Sequence, residues 1–89
     1  MSWTIKVSDQ AKKDLSWFKK NEKQLYLKCF DLTLAVLDEP HTGIGKPEHL
    51  KRLGGNVWSR RVNLEHRMVY EIYDNKLIVV ISYRYHYSK

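Results

Sequence analysis

The sequence has a single cysteine, Cys29, two prolines, four glycines and no apolar run long enough to span a membrane. One cysteine excludes an internal disulfide framework and fits a reducing compartment. It stands among apolar residues of a helical segment, which marks it as a small core residue and not a nucleophile. A membrane-crossing helix needs about 20 consecutive apolar residues, and charged residues occupy the N-terminus where a secretory signal would need its apolar stretch. The expected location is therefore the cytoplasm, with no membrane partner. The histidines His41, His49, His66 and His86 show no i, i+4 pair on a helix and no cysteine partner, so no zinc site is expected. Gly43-Ile44-Gly45 opens no helix, so it is not a nucleotide-phosphate loop, and no cofactor is expected. Acidic residues are also scarce: 10 Asp and Glu face 16 Lys and Arg, a formal net charge of +6.

At 89 residues the chain reads as one domain, 1–89, burying only about three-fifths of its unfolded surface. A hydrophobic fraction of 43% with 12% aromatics suffices for a compact core. The charge excess draws polyanions, and its placement sharpens this. Lys46, Lys51, Arg52, Arg60, Arg61, Arg67 and Arg84 are interleaved with Trp58, Tyr70, Tyr73, Tyr83, Tyr85 and Tyr87. Cations among aromatic platforms suit single-stranded nucleic acid; an acidic protein segment is the other partner that fits.

Trp3 to Val7 alternates and is β-branched, predicting a first strand. Ser8 is an N-cap for a helix whose stripe is Ala11, Leu15 and Phe18, ending near Asn21. A second helix runs from about Glu22 to Asp38, with Leu27, Phe30, Leu34 and Leu37 at helical spacing, and Pro40 stops it. After a loop from His41 to Pro47, three alternating segments follow: Val57 to Val62, His66 to Tyr73 and Lys76 to Tyr85. The order βααβββ is an α+β fold, an antiparallel sheet with a two-helix hairpin on one face and the other face open.

A two-residue turn at Asp74-Asn75 would set Tyr73 opposite Lys76, Tyr70 opposite Val79 and Arg67 opposite Ser82. Since side chains alternate faces, Met68, Tyr70, Ile72, Leu77, Val79 and Ile81 would then form the core face. Arg67, Val69, Glu71, Ser82, Arg84 and His86 would share the open face, and Arg61 would fall on the core face.

These residues suit RNA cleavage without a metal. The 2′-hydroxyl beside each phosphodiester is a built-in nucleophile, so an enzyme needs a base for it, an acid for the leaving 5′-oxygen and a cation for the developing charge. His86, near its reference pKa of about 6.5, is the acid. Arg67 is a permanent forked donor suited to phosphate. Glu48, beside Lys46 and Lys51 at the end of the Gly-rich loop, is the candidate base. Taken singly, each also suits an ordinary solvated surface.

Four blocks together resemble a known family. Gly45-Lys46-Pro47-Glu48-His49-Leu50-Lys51, Trp58-Ser59-Arg60-Arg61, Glu65-His66-Arg67-Met68-Val69-Tyr70 and Tyr83-Arg84-Tyr85-His86-Tyr87 are similar, in order and spacing, to the YoeB/Txe branch of the RelE-type toxins. The resemblance runs nearly end to end. It implies a RelE-like fold and a ribosome-dependent messenger RNA endonuclease held inactive by a cognate YefM- or Axe-like antitoxin, with the ribosome and messenger RNA as partners and a homodimer as assembly. Carried over by motif, Glu48 is general base, His86 general acid, Arg67 the transition-state cation and Tyr87 the group that positions phosphate or stacks on a base. Lys51 and Arg61 would contact RNA, and Lys46 and Arg84 extend the basic surface. Two departures stand out: Ser88-Lys89 follow the His-Tyr pair at which some members end, and His49 replaces a proline of one member. Two other readings are a RelE-fold toxin that poisons a protein without cutting RNA and a basic binding module. An antitoxin would cover or distort the Arg67–His86 region with an acidic or amphipathic segment.

Overall fold

Ser8 joins the first strand to the first helix. In the computed structural model, which describes residues 3–85, its hydroxyl accepts the Ala11 amide proton at 3.1 Å and caps α1 (Asp9–Asn21). That satisfies one of the amides a helix start leaves unpaired. Asp9 in the first turn and Lys19 and Lys20 in the last complement the helix dipole. Only Glu22 separates α1 from α2 (Lys23–Asp38), which stops before Glu39-Pro40 because the proline ring cannot continue a helix.

The five-stranded sheet has the order β1-β5-β4-β3-β2, with β1 at Thr4–Val7, β2 at Glu48–His49, β3 at Val57–Arg61, β4 at Arg67–Tyr73 and β5 at Leu77–Tyr85. The expected wholly antiparallel sheet needs correction. β1 runs parallel to β5, with Val7 opposite Val80, while the other pairs are antiparallel. The two-residue β2, too short to show as alternation, extends the far edge against β3. The α+β class and the helical hairpin on one face stand. Ala11 and Phe18 of α1, Cys29, Leu32 and Val36 of α2, and Met68, Tyr70, Ile72, Ile78 and Val80 of the sheet form one core.

α2 turns differently from its most obvious apolar spacing. Leu27, Phe30 and Leu34 are 57%, 43% and 65% exposed, whereas Cys29, Leu32 and Val36 are buried. A helix apolar on two sides gives the same period for both stripes, so periodicity cannot choose the inward one.

The β4–β5 register also departs from the two-residue turn. Asp74, Asn75 and Lys76 all lie in the turn, and Lys76 takes φ 63°, the left-handed residue that closes a three-residue hairpin loop. Tyr73 therefore faces Leu77 and Tyr70 faces Val80, which puts Ile78 and Val80 in the core and leaves Ile81 38% exposed. Two irregularities follow. Val69 faces Ser82, so Ile81 is extra, and Arg67 faces Tyr85, so Tyr83 and Arg84 together oppose Met68. Each is a bulge that reverses which face the following residues occupy.

The inward stripe of α2 can be tested by truncation. Leu32→Ala should lower unfolding free energy by about 2–5 kcal/mol, and Leu34→Ala by about 0.5 kcal/mol or less. Equal losses in urea unfolding would contradict this orientation.

Candidate functional site

Three strands carry the site on the sheet face turned away from the helices. Glu48 faces Ser59 and Arg61 faces Arg67 across the ladder, and directly opposed residues of antiparallel strands share a face. Arg67 Nη1 lies 3.6 Å from Glu48 Oε1; the glutamate side chain is 57% exposed and the arginine 19%. The pair of arginines on neighbouring strands is unfavourable by itself, and Glu48 is a nearby countercharge. Beneath them Leu50, Val57 and Val69, with Tyr85 against them, form a small second apolar cluster. The open face is therefore partly packed. Beside it lies a cleft of about 440 Å³, lined by Glu48, Leu50, Lys51, Arg52, Leu53 and Tyr85 among others.

The alternation of β3 sends the two consecutive arginines opposite ways. Arg61 is half-buried on the cleft side, with its amide donating to Gly45 O at 2.7 Å. This corrects the expected core-facing Arg61: the core position belongs to Arg60, which is 0% exposed. Arg60 donates from Nη2 to Glu39 O at 2.7 Å and Thr42 O at 2.8 Å, from Nη1 to Ile44 O at 3.0 Å and from Nε to Tyr70 Oη at 3.1 Å. The Tyr70 hydroxyl in turn donates to Pro40 O at 2.7 Å. The loop before β2 is thus fastened from inside. Gly45 is required there: at φ 84° a Cβ would stand 2.8 Å from Leu32 Cδ2 and 3.0 Å from Arg60 Cβ.

Arg84 needs the other correction. Expected on the open face, it is turned by the second bulge to the helical side, where its guanidinium carbon sits 3.7 Å from the centre of the Trp17 ring. Tyr85 takes the place opposite Arg67. Tyr70 and Tyr83 are 0% and 1% exposed, so they are core groups and cannot serve as stacking platforms. His66, 4% exposed, packs edge-on against Phe18 and Trp17. Lys46 is exposed in the left-handed region at φ 52°, and Lys51 is exposed at the cleft rim in a single 3-10 turn, Lys51–Leu53. The structure therefore brings Glu48, Lys51, Arg61 and Arg67 to one region, with Lys46 on the adjoining loop. His86 and Tyr87 lie outside the described residues. Leu50 was not singled out in the sequence as a site residue and Tyr85 only as one of the interleaved aromatics, although both stand within the blocks that carry the resemblance.

Among the described residues no group of three His, Cys, Asp or Glu is arranged to hold a metal ion, and no helix is long and apolar enough to cross a membrane. Burial, reinforced by the charge of Asp14, pushes the Cys29 thiol up to about 12. Burial likewise pushes the Tyr83 phenol to about 12, its hydrogen bond with Thr33 opposing in part.

The fold and cleft define a small basic α+β protein whose open sheet face sets a carboxylate among cations. A sequence model of the YoeB-like toxins of bacterial type II toxin–antitoxin systems matches residues 7–87. Toxin YoeB of Synechocystis sp. is 46% identical over 76 residues, 85% of this chain and 87% of the relative. The YoeB dimer from Staphylococcus aureus superposes with a TM-score of 0.83 at 40% identity, covering 96% of this chain and 98% of that one. The heterotetrameric YoeB–YefM toxin–antitoxin complex of the same organism matches with a TM-score of 0.80 at 41% identity, over 96% and 98% of the two chains. The chain belongs to the YoeB-like toxin family.

The raised thiol and phenol have a consequence at high pH. Their protonated forms are favoured by folding, so their contribution is complete below the unfolded values of 9.0 and 10.0 and is lost as pH climbs from there towards about 12. The urea midpoint should fall across that window, and Cys29→Ala should flatten the fall. In the native protein at pH 8, Cys29 should resist a disulfide thiol reagent until denaturant is added; rapid native labelling would refute its burial.

Proposed function

We infer that this toxin is a ribosome-dependent, metal-independent endoribonuclease that cuts messenger RNA and so halts translation. The observation that carries the reading is the Glu48–Arg67 pair at 3.6 Å beside a cleft that Glu48 lines together with Lys51, Arg52 and Tyr85, the last of which immediately precedes His86 in the chain. Glu48 takes the proton of the 2′-hydroxyl, whose oxygen then forms a bond to phosphorus. The bond from phosphorus to the 5′-oxygen breaks, and His86 gives that oxygen its proton. Cleavage leaves a 2′,3′-cyclic phosphate and a free 5′-hydroxyl. Arg67 offers its fork to the phosphorane oxygens, where extra charge develops. Tyr87 positions the phosphate or stacks on a base. Lys46, Lys51 and Arg61 hold the flanking phosphates, while Arg84, packed on Trp17, is displaced from that role.

The partners follow from the family. Structures of the Staphylococcus aureus relatives are a YoeB dimer and a YoeB–YefM complex, and a YefM-like antitoxin and a second copy are the assemblies proposed for this chain. A net charge of +6 favours an acidic antitoxin segment laid over the Glu48–Arg67 cleft. The site of action is the cytoplasm, where ribosomes translate.

The deciding experiment is a translation reaction with a defined message. Wild type should cut only while ribosomes translate. Glu48→Gln and His86→Ala should each reduce cutting by about 10²-fold or more with an unchanged melting temperature, and Arg67→Ala by a similar factor. A message left whole while translation stops would replace the nuclease with a toxin that acts by binding.

A further inference from the structure

Asp14 is a carboxylate where an apolar helix face would carry none. It lies on the same stripe of α1 as Ala11 and Phe18 and is 4% exposed. Burying a carboxylate is costly unless its oxygens are hydrogen-bonded. Asp14 Oδ2 accepts the amide protons of both Tyr83, at 2.9 Å, and Arg84, at 3.3 Å. Oδ1 accepts from Gln10 Nε2 at 3.0 Å. In a regular antiparallel ladder consecutive amides point to opposite sides of the strand, so one oxygen cannot collect both. Here they converge because Tyr83 and Arg84 are the two residues that oppose Met68 alone.

That bulge decides which residue reaches the cleft. Without it, the pairing of Val69 with Ser82 would continue as Met68 with Tyr83 and Arg67 with Arg84, leaving Tyr85 on the helical side. With it, Tyr85 stands opposite Arg67 and lines the cleft with Glu48, and Arg84 is laid on Trp17, the residue three places beyond Asp14 on α1. We propose that Asp14 is a positioning residue: its buried carboxylate fixes the bulge at Tyr83–Arg84 and thereby sets the phase in which the end of β5 presents Tyr85 to the cleft. Its use in RNA cutting rests on the nuclease reading above; its control of strand phase does not.

The carboxylate suits this task better than a neutral group. Two backbone donors aimed at one oxygen favour a charged acceptor, which holds such donors more strongly than a neutral one. Asparagine keeps a carbonyl oxygen that can still accept two protons, so Asp14→Asn should hold the bulge weakly, whereas Asp14→Ala removes the acceptor altogether.

The test uses the full chain and two readouts. Nuclear Overhauser contacts between β4 and β5 report strand phase, and single-turnover cutting of a message on ribosomes reports the site. In Asp14→Ala the Arg67–Tyr85 cross-strand contact should give way to Arg67–Arg84, the Tyr83 and Arg84 amides should exchange faster, and cutting should slow by about 10²-fold with ribosome affinity retained. Asp14→Asn should restore the Arg67–Tyr85 contact and most of the rate, and it supplies the decisive comparison if the alanine variant does not fold. A folded Asp14→Ala that keeps the Arg67–Tyr85 contact overturns the proposal, and so does an Asp14→Asn no nearer wild type in phase than alanine. Wild type that cuts no RNA would sink the nuclease reading, while the strand contacts would still decide the role of Asp14.

Discussion

A guanidinium sealed inside the protein constrains everything around it. Arg60 has no exposure, so its donors must find acceptors within the fold. They find the carbonyls of Glu39, Thr42 and Ile44 and the hydroxyl of Tyr70. Few loop conformations aim three carbonyls at one point, so the segment after α2 is determined by a residue on β3. Gly43 and Gly45 leave room for it: a Cβ on Gly43 would come to 3.0 Å from Arg60 Nη1. The consequence reaches the cleft, because Gly45 O receives the Arg61 amide and Glu48 follows three residues later. A carboxylate on a short edge strand thus gains a fixed position from the core side of the sheet.

The elements were legible in the sequence wherever the local signal is chemical. Ser8 as a cap, Pro40 as a stop and the alternation of β3, β4 and β5 lead to the observed segments within a residue or two. What failed were choices between symmetric alternatives. α2 has two apolar stripes, and only packing selects Cys29, Leu32 and Val36 over Leu27, Phe30 and Leu34. Asp74-Asn75 looks like a complete two-residue turn, yet Lys76 at φ 63° joins it and moves β5 by one position. The parallel pairing of β1 with β5 is a tertiary contact that no local pattern reports.

Phase errors matter more for the site than for the fold. A shift of one residue preserves an apolar strand in the core but exchanges the side chains offered on the other face. Arg61 and Arg84 changed sides for this reason, one through the true β3 alternation and one through a bulge held by a helix. Glu48 and Arg67 lie 3.6 Å apart because both flank β3, whose pairing with β2 and with β4 is regular. Asp14 carried a readable signal that went unused, an acidic residue in the same stripe as Ala11 and Phe18. The basic and aromatic interleaving was a poorer guide, since Arg60, Tyr70 and Tyr83 are spent in the core.

Removing those interior groups leaves a sharper electrostatic picture than a net charge of +6 conveys. Arg60 is consumed by loop carbonyls and Arg84 by Trp17. Lys51 and Arg52 line the cleft with the carboxylate of Glu48, Arg61 and Arg67 lie beside it, and Lys46 stands on the adjoining loop. Arg61 directly opposite Arg67 is a like-charge pair, a placement that costs roughly 0.2–1 kcal/mol in a strand ladder. Glu48 at 3.6 Å from Arg67 supplies an opposite charge beside the pair. An anion with several oxygens, such as a backbone phosphate, could be shared between both forks and would turn the repulsion into attraction. Local disagreement with the rules of sheet stability is common where a surface serves a ligand and not itself, and in this chain the like-charge pair lies beside Glu48.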